Sequence, residues 1–541
     1  MEEKNRTPKP NAGELPAPQS PPLPEERVVR LEKGKRGLLN ILFGRTTIIL
    51  ILLLAQILLL LSATLWLDQY LTYAWTVSMV VAAVLVLWIA NREGDPTAKL
   101  TWMVLILAAP LVGAPLYIFV QTDLGHRAAH QRLEQILAET RRYARGSPGL
   151  AERLAVEDRH LRNLADYTTT FGGYPVYENT QVRYFPSGER FFTALLAELE
   201  KAEHFIFLEF FIIQEGYMWG RVLEILERKV RAGVEVRVLY DGTCAIYKLP
   251  YSYPKRLREL GIQCKMFMPL RPLVSTHYNN RDHRKIVVVD GKAAFTGGVN
   301  LADEYINRRH PFGHWKDAAV LLQGEAVRSF TLMFLQLWHV DEKWENYERY
   351  LSHGCAVRAQ GYVIPFADSP LDGERVGEMV YLDILSRARR YVHIMTPYLI
   401  LDGDLITALC FAAKRGVDVA LLLPAIPDKE FAYALAKTHY PQLLRAGVRI
   451  YEYSPGFVHS KVMVSDDCRA VVGTINLDYR SLYHHFECAA YLQEMEAVAD
   501  AEEDFQAALA VSHRVRPGDR SKEPLFRRLT GWLLKLLAPL M

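Results

Sequence analysis

The chain has 541 residues, half of them hydrophobic, with 64 Lys and Arg against 61 Asp and Glu. That length holds roughly three or four folding units, and the near-balance of charge excludes a dedicated nucleic-acid binder, whose basic excess is larger and gathered on one surface. Six cysteines without ligand-like spacing (Cys244, Cys264, Cys355, Cys410, Cys468 and Cys488) exclude a disulfide framework and read as core residues of a reducing compartment.

Residues 1–36 are polar and Pro-rich (PNAGELPAPQSPPLPEE) and predict a disordered tail. Residues 37–122 carry three apolar runs, Thr46–Leu67, Tyr73–Ala90 and Leu100–Val120. Each is near the roughly 20 residues that cross a hydrocarbon core. Flanked by Trp66, Trp75, Trp88, Trp102 and Tyr117, they predict two to three transmembrane helices in a multi-pass protein of the cell membrane. A cleaved signal peptide does not fit, because the first run is too long and further runs follow. Basic residues before the runs (Arg27 to Arg45) and after them (Arg127 to Arg145) both favour the inner side. A re-entrant helix pair at Pro110, Gly113 and Pro115 would reconcile the two ends.

A charged helical connector occupies 123–170. Two α/β units follow, at 171–352 and 353–515. In the first, the strand-like HFIFLEFFII (204–213) leads to a helix-period stretch (220–233) and a second buried strand, VEVRVLYDG (234–242). The order returns at 389–400, 405–417 and 418–425. Strand, helix, strand is the pattern of parallel pairing covered by helices, and its repetition predicts two copies of one domain. Residues 516–541 end in EPLFRRLTGWLLKLLAPLM. Leu525, Leu529, Trp532, Leu533, Leu536 and Leu540 recur at helical spacing beside Arg527, Arg528 and Lys535. This amphipathic segment either lies in a membrane interface or closes a core.

The strongest repeat lies late in each unit. HRKIVVVDGKAAFTGGVN begins at His283 and HSKVMVSDDCRAVVGTIN at His459, so both read His-x-Lys-x4-Asp-x6-Gly-x2-Asn. Asp317 in WKDAAVLL and Glu487 in HFECAAYL each precede an apolar strand. Side chains two apart on a strand share a face, so His283 projects with Lys285 and His459 with Lys461. Asp290 and Asp466 fall at hairpin turns and are expected to hold the hairpin and the lysine rather than touch substrate. The returning strands deliver Asn300 and Asn476, and Gly297-Gly298 and Gly473-Thr474 are expected to let an anion approach backbone N–H groups.

Two His, two Lys and two Asn about one centre suit a phosphodiester. The Lys and Asn side chains are expected to bind the non-bridging oxygens, which gain charge in the transition state. One imidazole attacks phosphorus while the other protonates the leaving alkoxide and later deprotonates the incoming alcohol. Asp317 and Glu487 are expected to orient the imidazoles. No metal or other cofactor is needed, and His310, His314, His484 and His485 read as surface or core histidines. Glu209 and Asp241 read equally as cleft-facing groups or buried hydrogen-bond partners.

These paired motifs resemble those of the phospholipase D superfamily. FLEFFII, VLYDG, TPYLILD, GGVNLADEYI with FGHWKDA, and GTINLDYRSLYHHFE are similar to segments of its bacterial cardiolipin synthase family, from about Arg36 onward. Gly298 and Thr474 stand where many superfamily members carry Ser. The resemblance implies tandem phospholipase D-like domains, with mixed sheets flanked by helices about a pseudo-two-fold axis. It implies transfer of a phosphatidyl group between two phosphatidylglycerol molecules through a phosphohistidine, with membrane lipids and not nucleic acid as partners. By analogy His283 is the nucleophile and His459 the acid/base, although pseudo-symmetry permits the reverse. A hydrolytic phospholipase D or a synthase with another acceptor alcohol is the alternative. A membrane-tethered nuclease lacks its basic, aromatic track, and a non-catalytic scaffold has no need of paired histidines.

Overall fold

A computed structural model describes residues 68–540 apart from 122–126, 270–279, 341, 343–345, 353, 355–356 and 520–522. The Pro-rich tail and the first apolar run lie outside the described residues. The second run lies in helix α1 (Asp68–Asn91). The third is not one helix but two, α2 (Pro96–Ala108) and α3 (Pro110–Gln121). The Asp95 carboxylate caps α2 by accepting from the Ala98 N–H, with Pro96 in the first turn where no N–H is missed. The chain folds back so tightly that a Cβ on Gly113 would lie 2.5 Å from the Leu105 carbonyl oxygen. Ala82, Ile89, Trp102, Ile106, Ala114 and Tyr117 form the small core of this three-helix unit. Among the described residues no helix is long and apolar enough to cross a membrane.

The first α/β half contains strands β1 (Thr180–Phe185), β2 (Phe205–Phe210), β3 (Glu235–Asp241), β4 (Gln263–Phe267), β5 (Lys285–Val289), β6 (Ala293–Gly297) and β7 (Ala319–Gly324). They form one sheet in the order β1-β7-β6-β5-β2-β3-β4, parallel only across β2-β3-β4. The second half repeats it with β8 (Tyr362–Asp368), β9 (Tyr391–Met395), β10 (Asp418–Pro424), β11 (Arg449–Tyr453), β12 (Val462–Ser465), β13 (Arg469–Gly473) and β14 (His485–Gln493). Its order is β8-β14-β13-β12-β9-β10-β11, the same path strand for strand, with β15 (Ser512–Arg514) added at the far edge. The duplicated motif therefore reports a duplicated mixed sheet.

Each sheet is buried on both faces, which is why its central strands read as unbroken apolar runs rather than alternating ones. One face of the first sheet packs under the helices Gly188–Glu200 and Tyr217–Arg231, through Phe192, Leu195, Trp219 and Val222. The matching face of the second sheet packs under Val376–Arg387 and Gly403–Lys414. The inner faces share one core with the helices Val327–Trp338 and Glu496–Ala510, so Phe207 and Val288 of the first half belong to the same cluster as Val464 and Val472 of the second. The five described cysteines are unpaired, four of them buried.

The final helix, Leu525–Leu537, rests on Glu430–Ala436: a Cβ on Gly531 would lie 2.6 Å from the Ala434 carbonyl oxygen. Its far end reaches the N-terminal unit, where the Thr101 hydroxyl donates to the Leu536 carbonyl at 2.7 Å. Leu525, Phe526, Leu529, Trp532 and Leu533 point outward and are exposed.

Candidate active site

Both His-x-Lys segments enter the centre by pairing across the two halves. Residues 281–282 run parallel to the start of β14, and the His283 N–H donates to the Phe486 carbonyl at 2.9 Å. Residues 456–458 run parallel to residues 314–316, and the His459 N–H donates to the Lys316 carbonyl at 2.7 Å. This exchange brings each imidazole to the acid of the opposite half. Both carboxylate oxygens of Glu487 lie 2.9 Å from Nδ1 of His283, and Asp317 Oδ2 lies 2.7 Å from Nδ1 of His459. An ionised carboxylate there holds the proton on Nδ1 and leaves the Nε2 lone pair for chemistry.

All four groups are buried, and their charge states follow. Burial pushes His283 well below the ordinary histidine value, outweighing the attraction of Glu487. Burial and then the neighbouring Lys461 bring His459 down to about 4, against the pull of Asp317. Burial opposes ionisation of Glu487 and Asp317, but the imidazoles beside them overcome it and hold both carboxyls below their usual range. Burial lowers Lys285 to about 8 and Lys461 to about 7. Lys285 Nζ donates to the His283 carbonyl at 2.6 Å, and Lys461 Nζ lies against the His459 carbonyl and 3.0 Å from its Nδ1. The resting centre therefore has two neutral imidazoles, two ionised carboxylates and two cations poised to lose their charge near neutrality.

Asp290 and Asp466 sit in the turns after β5 and β12 with positive φ (51° and 56°). Neither holds its lysine, contrary to expectation. Asp290 instead accepts the N–H groups of Glu203, His204 and Phe205 at 2.8 Å each, and Asp466 those of Arg389, Arg390 and Tyr391 at 2.8 to 3.0 Å. Each carboxylate thus satisfies the start of the neighbouring strand, where the sheet supplies no acceptor. Asn300 is buried and bridges: its Oδ1 accepts from the Ile212 N–H at 2.9 Å and its amide donates to the Tyr305 hydroxyl at 2.8 Å. Asn476 is buried too, with Oδ1 unpartnered.

The glycine expectation is also corrected. The Gly298 N–H is spent on the Ala318 carbonyl and the Thr474 N–H on that of Cys488, both at 2.9 Å, so neither awaits an anion. A Cβ on Gly298 would overlap Asp317 Oδ1 and lie 2.8 Å from the His459 carbonyl oxygen, so the missing side chain makes room for the acid. In the other half the Thr474 hydroxyl binds Glu487 Oε2 directly. These positions serve the carboxylates.

Glu209 and Asp241 are buried partners, not cleft groups. Arg284, between His283 and Lys285, donates to Glu209 at 2.6 Å, and Asp241 accepts the Asp282 N–H at 3.0 Å. The sequence offered no signal for Arg284 beyond its place inside the motif. His310 is exposed and His314 meets the Tyr453 hydroxyl at 3.0 Å. His485, expected on the surface or in a core, lies in the centre beside His283.

A family model described as the cardiolipin synthase, PLD-like domain matches residues 195–338 and 381–509, enclosing both motifs. The chain belongs to this family. A phospholipase D-nuclease N-terminal model also matches residues 77–121. A cardiolipin synthase of Geobacillus kaustophilus is 35% identical, covering 85% of this chain and 92% of its own. One of Alkalihalophilus pseudofirmus is 32% identical, with 88% and 95% covered. An uncharacterized protein of Streptococcus mutans is 51% identical, covering 84% and 99%. Among solved structures, the phosphatidylserine synthase of Haemophilus influenzae shares the fold at 13% identity and a TM-score of 0.53, covering 71% of this chain and 99% of that one. The family's tandem PLD-like architecture accounts for the two matched sheets and the centre between them.

Proposed function

We propose that this protein is a cardiolipin synthase that moves a phosphatidyl group from one phosphatidylglycerol to another. The observation that carries the mechanism is the crosswise pairing of His283 with Glu487 and His459 with Asp317. His283 attacks phosphorus through the Nε2 lone pair, and the glycerol oxygen leaves with a proton from His459. His459 then takes the proton of the second lipid's terminal hydroxyl, whose oxygen attacks phosphorus as the bond to His283 breaks. Arrival of the anionic phosphodiester favours the imidazolium form of His459 that the first step requires. Lys285 and Lys461 bind the non-bridging oxygens with Asn300 and Asn476, while Asp290 and Asp466 hold the strands that carry them. The named cardiolipin synthases that align over most of the chain support this choice of substrates.

The same proposal places the protein in the cell membrane as a multi-pass protein. Trp75, Val77, Val80, Val84, Leu87 and Trp88 of α1 are exposed, as are Leu107, Leu111, Val112 and Leu116 of the α2–α3 pair. So much outward apolar surface on a small unit calls for lipid. The outer face of the last helix, joined to α2 through Thr101, extends it.

The test is to give the purified, detergent-solubilised protein phosphatidylglycerol alone and follow lipids and glycerol by mass spectrometry. Cardiolipin and glycerol in equal amounts are expected, with turnover lost in His283→Ala and His459→Ala. Phosphatidic acid in place of cardiolipin would make water the acceptor and sink the transferase reading.

A further inference from the structure

The two halves of the centre differ at one position. Where the first half has Trp315, two residues before Asp317, the second has His485, two residues before Glu487. Trp315 packs its ring 5.5 Å from that of His459 and offers that imidazole no acceptor. His485 is 7% exposed; its Nε2 has no hydrogen-bond partner, and its Nδ1 meets only the Glu487 carboxylate, at 3.5 Å. A buried imidazole with one nitrogen unpartnered and the other in a long contact is costly and leaves room for a ligand.

The surroundings say which. His485 Nδ1 lies 3.5 Å from Glu487 Oε1, which is itself 2.9 Å from His283 Nδ1, and the two imidazole centroids are 5.3 Å apart. Tetrahedral zinc with nitrogen and oxygen ligands at about 2.0 to 2.1 Å requires donor atoms about 3.3 Å apart. The two edges to the Glu487 carboxylate, 2.9 and 3.5 Å, bracket that value. Ligand atoms of His283, His485 and Glu487 all lie within 4.8 Å of one another, and two imidazoles with one carboxylate suit Zn²⁺ rather than Mg²⁺ or Ca²⁺. The mirror position cannot do the same, because an indole supplies no lone pair.

We propose that His283, His485 and Glu487 form an inhibitory site for Zn²⁺. His283 Nδ1 gives its proton to solvent and binds the ion through the freed lone pair, while Glu487 and His485 supply the other protein ligands and water completes the shell. The carboxylate that orients His283 is then bound to the metal, and a divalent charge beside Nε2 weakens it as a nucleophile. Binding stands on geometry alone; only the inhibition rests on the transferase reading above.

Co²⁺, which gives an intense visible band when tetrahedral, is the probe. Titration of the purified full chain should produce that band at one ion per chain, and Zn²⁺ should bleach it. His485→Asn, which stays polar but loses the imidazole, should bind Co²⁺ at least about tenfold more weakly. In parallel, Zn²⁺ should inhibit lipid transfer reversibly by chelator, and the half-inhibiting concentration should rise about tenfold or more in the variant. Absence of the band in folded wild type, or equal affinity in His485→Asn, overturns the site. A normal band and normal loss in the variant, with no transferase activity, supports the site and removes the transferase reading instead.

Discussion

Replacing Glu487 with Gln keeps the shape of the side chain and removes its charge. In the folded protein this carboxylate is fully buried, meets His283 Nδ1 at 2.9 Å through both oxygens and is bound by the Thr474 hydroxyl. The amide can present its NH2 to Nδ1, which then accepts, and the proton moves to Nε2, where it blocks attack on phosphorus. Removing one partner of a buried pair costs about 3 to 5 kcal/mol. If that loss falls on the transition state, at about 1.4 kcal/mol per factor of ten, the rate drops by roughly 10² to 10⁴. The assay is the initial rate of cardiolipin formation, with acid-quenched radiolabelled lipid to trap the protein-bound phosphatidyl group and circular dichroism to check folding. Glu487→Gln should lose both the rate and the trapped intermediate. A folded variant within about threefold of wild type would refute the claim that the carboxylate sets the tautomer.

Other expectations follow from the same centre. Gly298→Ala should push Asp317 off His459, lowering the rate by about a hundredfold and the stability by about 1 to 3 kcal/mol; a variant with unchanged turnover would show that the acid tolerates displacement. Because Lys461 and Lys285 titrate at about 7 and about 8, KM for phosphatidylglycerol should rise above pH 8 as both lose charge, and Lys461→Arg should flatten the rise. The sign for stability is opposite: the unfolded lysines keep their protons up to about 10.5, so stability should increase with pH above 7, as urea unfolding can check. Gly531→Leu should lift the last helix from the Ala434 carbonyl, broadening proteolysis after residue 523 while leaving the two-sheet core resistant; an unaltered cleavage pattern would mean that the close contact does not hold the helix.

The duplicated sheet was legible because apolar runs of strand length alternate with helix-period stretches in the same order in both halves. The stretches at 204–213 and 418–425 carry unbroken apolar runs of strand length, and both are central strands. Asp317 and Glu487, the acids that meet the imidazoles, stood out by their place before an apolar strand. Their crosswise use was not, since spacing along a chain says nothing of which half a side chain reaches. The glycine pair misled for a related reason: a small residue signals close approach without naming the approaching group, and here that group is Asp317. His485 carried no periodic signal, so only the three-dimensional neighbourhood separates it from an ordinary core histidine. The break of the third apolar run was readable from Pro110 and Gly113, but the packing of Gly113 on Leu105 was not.

Exchange of carboxylates between the halves also governs when this chain can become chemically active. Synthesis delivers the first half ahead of the second, so His283 and Lys285 are made before Glu487 exists. Until then the imidazole has no fixed tautomer, no second imidazole to protonate a leaving group, and no partner strand for residues 281–282. A chain without its second half therefore lacks both the acid that meets His283 and the second imidazole. Completion of the second half thus acts as the safety catch.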